Sequence, residues 1–113
     1  MYGKYALLIG NDHYDDSRFN PLNAPLRDVD ALRDVLLRPD IGAFNDVTVL
    51  PNPSVAEAQR AVNVLFAGKS KDDLLLFYYS GHGVKDHHGD LFFTLKASEW
   101  EFLDSTALSS FAD

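Results

Sequence analysis

Residues 74–79 form an apolar run that stops at the Ser-Gly-His-Gly sequence of residues 80–83. A short, continuously apolar run predicts a buried strand with both faces covered, as in a parallel sheet. A second run of this kind, residues 5–10, also ends at a glycine. The chain is therefore expected to build a sheet whose strands lie between layers of helix.

Helical periodicity and capping signals separate the predicted strands. Apolar side chains recur at helical spacing over residues 25–38, with Asn23 as the expected N-cap. Ser54 and Glu57 have the spacing of a capping box, which predicts a second helix over residues 55–66. Further strands are predicted at residues 46–50 and 91–95, the latter as one arm of a hairpin.

This order of elements predicts an α/β fold. Two consecutive strand–helix–strand units require right-handed crossovers, and therefore parallel strands with helices on the faces of the sheet. The three long strands are expected in the order 2-1-3. Reactive groups in such sheets collect beyond the carboxyl ends of the strands, where residues 10–12 and 80–83 fall. Asp28, at the start of the first helix, is expected at the same edge.

Composition and charge exclude several classes of function. The 113 residues carry a formal net charge of −7, which disfavours nucleic acid and anionic membrane surfaces as partners. No apolar run approaches the ~18–20 residues of a membrane helix, and the N-terminus lacks the pattern of a signal peptide. A soluble, cytoplasmic protein is expected. The absence of cysteine excludes disulfides, thiolate zinc sites and a thiol nucleophile within this chain.

His82 is the main candidate for chemistry because glycines flank it. Gly81 and Gly83 permit backbone angles that are closed to other residues, and they let a ligand approach closely. The alternative is a loop histidine that only ends a strand or bonds a carbonyl group.

A second polar group surrounds the predicted hairpin loop. Asp86, His87, His88 and Asp90 invite a metal-site interpretation, but they lie in a loop and not at ligand spacing on a helix, so solvated side chains are the better interpretation. The sequence contains neither a dinucleotide glycine pattern nor a phosphate-binding Gly-Lys-Ser/Thr loop. No metal and no cofactor are expected.

Three segments together resemble a known family. KYALLIGNDHY, LRDVDALRDVLLRPDIGAFNDVTVL and DDLLLFYYSGHG, in this order, are similar to the large-subunit half of the caspase-like cysteine peptidases of family C14, most of all the bacterial and metacaspase-like branch. The resemblance covers residues 4–98. It implies a caspase-like three-layer sandwich and a cysteine endopeptidase with a His/Cys dyad that cuts peptide or protein substrates. His82 would activate the thiol and protonate the leaving amine, and the Gly83 N–H would donate to the oxyanion.

The chain departs from the family pattern because it lacks the cysteine. In caspases the nucleophile lies roughly 50 residues beyond the histidine, whereas no cysteine follows His82 before the chain ends at Asp113. We therefore expect residues 1–113 to be a single caspase-like domain that stops before the cysteine-bearing strand. Its expected partner is a downstream cysteine-bearing segment or small subunit, and the chain alone is expected to be inactive.

The resemblance also assigns a specificity role to Asp28. It falls where metacaspases place an acidic residue in the pocket for the residue before the cut, which implies cleavage after Arg or Lys. Ala24 lies near the place of the arginine with which animal caspases hold aspartate. The alternative for Asp28 is a first-turn carboxylate stabilised by the helix dipole.

Two other functions stay open. One is a non-catalytic caspase-like interaction domain. The other is an unrelated flavodoxin-like α/β binding domain, in which His82 is incidental.

Overall fold

The computed structural model describes residues 3–110, which form two small sheets and three helices. The central sheet has three parallel strands in the order β2-β1-β3, which confirms the predicted order. These strands are β1 (Lys4–Gly10), β2 (Asp46–Pro51) and β3 (Leu74–Ser80). Helix α1 (Pro25–Leu37) connects β1 to β2, and α2 (Val55–Phe66) connects β2 to β3.

Strand β1 is the centre of the core because it has a strand on each side and a helix on each face. Leu7 and Ile9 pack with α2, whereas Ala6 and Leu8 pack with α1. None of the four exposes more than 3% of its surface. Burial on both faces explains why this run is apolar at every position. It also confirms the predicted α/β sandwich with helices on opposite faces of the sheet.

The starts of the two long helices differ. Helix α2 begins with the predicted capping box: Ser54 Oγ accepts from the Glu57 N–H at 3.0 Å, and the Glu57 carboxylate accepts from the Ser54 N–H at 2.8 Å. The prediction that Asn23 caps α1 is wrong, because the N-cap is Ala24 and makes no side-chain cap bond. Pro25 follows it, and a proline at the first helical position has no N–H that needs a partner.

A second, antiparallel sheet follows β3. The predicted strand at residues 91–95 is confirmed as a hairpin arm, although it ends at Phe93. In the hairpin loop the Asp86 carboxylate accepts from the N–H groups of His88 and Asp90. The strands are β4 (Gly83–Lys85), β5 (Leu91–Phe93) and β6 (Leu108–Ser109), in the order β4-β5-β6. A 3-10 turn at Trp100–Phe102 and the helix α3 (Leu103–Thr106) connect β5 to β6.

Strand β3 lies at one edge of the central sheet in the part of the chain that the structure describes. The Leu74 N–H donates to the Gly3 carbonyl on the β1 side. Because backbone groups alternate in direction along a strand, those of Leu75 and of every second residue after it face outward. The predicted order 2-1-3 leaves this strand with one long partner, and in the structure that partner is β1. Among residues 3–110, no helix has the length and apolar character needed to cross a bilayer.

Candidate active site

The carboxyl ends of β1 and β3 meet at one edge of the sheet. The Asn11 N–H, just after β1, donates to the carbonyl of Ser80, the last residue of β3, at 2.9 Å. His82 follows Ser80 by two residues and is half-buried. The two loops that the sequence predicted to be neighbours are therefore neighbours.

The His82 ring has a fixed orientation. Its Nε2 lies 2.8 Å from the backbone carbonyl oxygen of Asn20. A carbonyl oxygen can only accept, so Nε2 carries the proton, and in the neutral ring Nδ1 keeps a free lone pair. The rings of Tyr14 and Phe19 flank the imidazole at centroid distances of 5.2 and 6.3 Å. Nδ1 has no hydrogen-bond partner among residues 3–110 and is available as a base.

Hydroxyl and amide groups hold the His82 backbone from both sides. The His82 N–H donates to the Tyr14 hydroxyl oxygen at 2.9 Å, and the His82 carbonyl accepts from the Thr94 N–H at 3.1 Å. The Tyr79 hydroxyl donates to the Thr94 carbonyl. Burial raises the pKa of the Tyr79 hydroxyl, so this phenol stays a proton donor. Together these groups form a cluster beneath the histidine, which we call the hydroxyl cluster (Tyr14, Tyr79 and Thr94).

The role expected of the flanking glycines needs correction. Neither Gly81 nor Gly83 has a positive φ, so unusual backbone angles do not explain them. A Cβ atom on Gly81 would clash with the Tyr79 hydroxyl and would lie 3.0 Å from the Tyr14 hydroxyl oxygen. Gly81 is therefore small because the hydroxyl cluster lies against it.

Gly83 contributes a free backbone donor beside His82. The bond from the Thr94 N–H to the His82 carbonyl lies next to the Gly83–Phe93 pair of the β4–β5 ladder. In an antiparallel ladder, bonded and non-bonded pairs alternate, so the Gly83 N–H faces away from β5. Gly83 is exposed, and its N–H has no acceptor within the described residues. An exposed, unpaired N–H of this kind is suited to an oxyanion.

Asp28 lies at the same edge as His82. Its carboxylate accepts from the Ser80 hydroxyl at 3.4 Å and is otherwise exposed. Asp28 also occupies the first turn of α1, where the helix dipole favours a negative charge. The structure thus brings His82, Gly83 and Asp28 to one edge, and the contacts of Asp28 fit both of its interpretations.

The loop that carries Asn20 is tied to the segment after β5. The Asp16 carboxylate accepts from the backbone N–H of Trp100 at 2.8 Å and forms an ion pair with Arg18 at 3.3 Å. The Trp100 N–H and Arg18 lower the pKa of Asp16 from 3.8 to about 2. The Asp15 N–H also donates to the Lys96 carbonyl at 2.9 Å. These bonds hold the loop against His82.

A polar cluster joins the ends of β1 and β2. Burial opposes the charge of Asp12, but the Asn52 amide at 2.9 Å and the His13 ring at 2.6 Å donate to its carboxylate and hold its pKa below the usual value. Asn52 adopts a left-handed φ of 47°, which asparagine tolerates better than most residues. Residues 3–110 contain no group of three or more His, Cys, Asp or Glu side chains arranged to hold a metal ion.

Sequence reasoning missed three of the groups that hold the histidine. Thr94 gave a usable signal, because it is a polar residue in the apolar segment LFFTL and is fully buried. Tyr14 gave a weaker one, as an aromatic residue in an otherwise polar loop. The Asn20 carbonyl gave none, since every residue has a carbonyl group.

Comparison with models of known protein families shows to which family this chain belongs. The model of the caspase domain of peptidase family C14 matches residues 3–108. The chain belongs to the caspase family. A search of curated proteins finds no match. Membership makes the flavodoxin-like interpretation wrong and places this caspase domain among the cysteine peptidases, a class of hydrolases.

Proposed function

We propose that this caspase domain supplies the histidine of a cysteine endopeptidase. The observation that carries the proposal is the His82 ring, whose Nε2 is held by the Asn20 carbonyl at 2.8 Å while Nδ1 stays free. The unpaired Gly83 N–H lies in the next residue. Because the chain contains no cysteine, the thiol comes from outside these 113 residues.

The proposed reaction uses His82 first as a base and then as an acid. Nδ1 takes the thiol proton, and the thiolate sulfur bonds to the carbonyl carbon of the substrate. The Gly83 N–H donates to the oxyanion that forms. The imidazolium then gives its proton to the amide nitrogen as the C–N bond breaks, which releases the amine and leaves a thioester. Nδ1 then takes a proton from water as the water oxygen bonds to the thioester carbon; the C–S bond breaks, the acid product leaves, and the imidazolium returns its proton to the sulfur.

The open edge of β3 offers a place for the segment that would carry the thiol. A strand from a downstream cysteine-bearing segment or small subunit would pair with the outward backbone groups of Leu75 and Phe77. If that strand runs parallel to β3, its carboxyl end lies beside His82, where reactive groups of such sheets collect. This arrangement is what the resemblance to the bacterial and metacaspase-like branch implies.

We propose Asp28 as the group that selects a basic residue before the cut. Its exposed carboxylate, 3.4 Å from the Ser80 hydroxyl, lies at the edge that carries His82. A carboxylate in a substrate pocket forms charge-assisted bonds with Arg or Lys. The net charge of −7 further attracts basic substrates.

The test is cleavage of an arginine peptide amide by this chain joined to the cysteine-bearing segment, in one chain or two. His82→Ala is expected to lower kcat by ~10²-fold or more, because general acid–base catalysis contributes at least that factor. His87→Ala is the matched control, because His87 is an exposed histidine of the hairpin loop, and it should keep its rate. Turnover of His82→Ala near that of His87→Ala would contradict the proposal.

The lack of cysteine favours one alternative, a non-catalytic caspase-like interaction domain. In that case no cysteine-bearing segment restores cleavage, although the fold and the open edge remain. The same assay separates the two functions.

A further inference from the structure

An exposed tryptophan lies two ring contacts from the proposed catalytic histidine. Trp100, the one tryptophan of the sequence, is 47% exposed. Its ring packs on Phe19 at a centroid distance of 5.6 Å, and Phe19 lies 6.3 Å from the His82 ring. Phe19 itself is only 4% exposed, so Trp100 covers a buried contact of the histidine and presents its other side to solvent.

Trp100 is held in place by the same contacts that fix the neighbouring loop. Its backbone N–H donates to the Asp16 carboxylate at 2.8 Å. Arg18 pairs with both Asp16 and Glu101, the residue next to Trp100, at 3.3 and 3.4 Å. A large apolar side chain on a fixed backbone loses little conformational freedom when a ligand covers it, which favours binding.

The chemistry of the proposed reaction indicates which part of a substrate reaches Trp100. His82 gives its proton to the leaving amine, so the segment after the cut passes beside the imidazole. An extended peptide spans about 3.3–3.6 Å per residue. The ring contacts of 6.3 and 5.6 Å therefore place Trp100 within reach of the first four residues after the cut.

We infer that Trp100 forms a subsite for an apolar side chain on the leaving-group side of the cut bond. The inference rests on the proposed function, because it takes the direction of the substrate from the role of His82. Asp28 contacts Ser80, which precedes His82 by two residues, whereas Trp100 packs on Phe19. The two side chains therefore lie near His82 through different neighbours. The expected substrates carry a basic residue before the cut and an aliphatic or aromatic residue within the four positions after it.

The test uses the fluorescence of the protein, since all tryptophan emission comes from Trp100. Two peptides of equal length are titrated, one with arginine followed by leucines and one with arginine followed by serines. We expect the leucine peptide to bind about tenfold tighter, because burying one leucine contributes at least the ~1.4 kcal/mol of a tenfold change. It should also shift the emission of Trp100 to shorter wavelength.

Two variants and a second readout make the test specific. Trp100→Ala should remove the preference for leucine, measured from the NMR signals of the His82 ring. Phe66→Ala should keep the preference. Phe66 is also an exposed aromatic residue, but it lies at the last position of α2 and does not pack on Phe19. If both peptides shift the His82 signals with equal affinity, or the emission stays unchanged, the subsite is wrong and the proposed function stands. If neither peptide shifts the His82 signals, the subsite is wrong, and the cleavage assay with the cysteine-bearing segment decides the proposed function separately.

Discussion

The backbone of His82 is fixed as firmly as its ring. The Tyr14 hydroxyl accepts from its N–H at 2.9 Å, and the Thr94 N–H donates to its carbonyl. The ring then meets the Asn20 carbonyl at 2.8 Å. Each contact removes a rotation that would move Nδ1. The hydroxyl cluster and the Asn20 carbonyl therefore position the proposed base without taking part in proton transfer.

The first prediction concerns Tyr14. Tyr14→Phe keeps the ring beside the imidazole but leaves the half-buried His82 N–H without its acceptor, which costs ~1–3 kcal/mol. In the complete enzyme we expect kcat to fall about tenfold while KM stays within about twofold. The control is Tyr78→Phe, since the Tyr78 hydroxyl makes no hydrogen bond within residues 3–110. Equal kcat values for the two variants would show that Tyr14 does not position His82.

The second prediction concerns Asp28. In the complete enzyme, Asp28→Ala should lower the preference for an arginine peptide over its neutral citrulline analogue by about tenfold or more, because a charged partner in the pocket is lost. Stability should change by less than ~0.5 kcal/mol, because Asp28 is exposed. Asp30→Ala, in the same helix and paired with Arg33 at 3.6 Å, is the control. An unchanged ratio of the two kcat/KM values would reduce Asp28 to a helix-end charge.

At the residue scale, the sequence predicts where a side chain lies in the fold better than it predicts which groups contact that side chain. His82 and Asp28 were placed at one edge because strand ends and helix starts can be located from apolar runs. The partners of His82 could not be found in the same way. Tyr14 and Asn20 reach the histidine through the path of an irregular loop, and no periodicity describes such a path.

Among the elements, the loop over residues 11–24 is held by individual hydrogen bonds, and the Asp16 side chain makes several of them. Asp16 accepts from the Trp100 N–H and from Arg18, and so ties this loop to the 3-10 turn that follows β5. No strand or helix of its own holds the loop in place. Its position beside His82 therefore rests on these charge-assisted hydrogen bonds together with the bond from the Asp15 N–H to the Lys96 carbonyl.

The third prediction concerns the pH dependence of the hydrogen bond from the Trp100 backbone N–H to the Asp16 carboxylate. The folded pKa of Asp16 is about 2, below the ordinary 3.8, so the stabilisation is complete above pH 3.8 and is lost as the pH falls through about 2. The Trp100 amide signal should titrate with that midpoint in NMR spectra. Asp16→Ala should abolish the titration, whereas Asp104→Ala, in the exposed first turn of α3, should preserve it. A midpoint near 3.8 in the wild-type protein would show that these hydrogen bonds do not stabilise the Asp16 carboxylate.

Regular elements were largely predictable, and the exceptions have physical reasons. The strands of the central sheet and the capping box of α2 follow from burial and from local hydrogen bonding. The sequence predicts Asn23 as the cap of α1 because asparagine is a common cap, but Pro25 at the first helical position lessens the need for one. Strand β6 has two residues, Leu108–Ser109, and so short a strand has no periodicity to detect.

For the whole molecule, the open edge of β3 is the main liability. The sheet ends at β3 among residues 3–110, and this strand is apolar over residues 74–79. Unpaired backbone groups on an apolar edge strand are a template for another chain. The charged residues Asp72 and Asp73 precede the strand and do not interrupt it.

The fourth prediction follows from this edge. The 113-residue chain should be marginally stable and should self-associate with rising concentration in light scattering. The cysteine-bearing segment, added in the same chain or as a second chain, should suppress association and raise Tm by several degrees, about 4–8 °C per kcal/mol for a domain of this size. A concentration-independent monomer whose Tm ignores the segment would contradict the proposal that another strand pairs with β3.

The protonation of the His82 ring tests most directly whether His82 is held ready to act as the proposed base. In nitrogen NMR spectra of the protein at a pH where the ring is neutral, we expect the proton on Nε2, bonded to the Asn20 carbonyl, and Nδ1 unprotonated. A ring protonated on Nδ1, or an even mixture of the two forms, would contradict it.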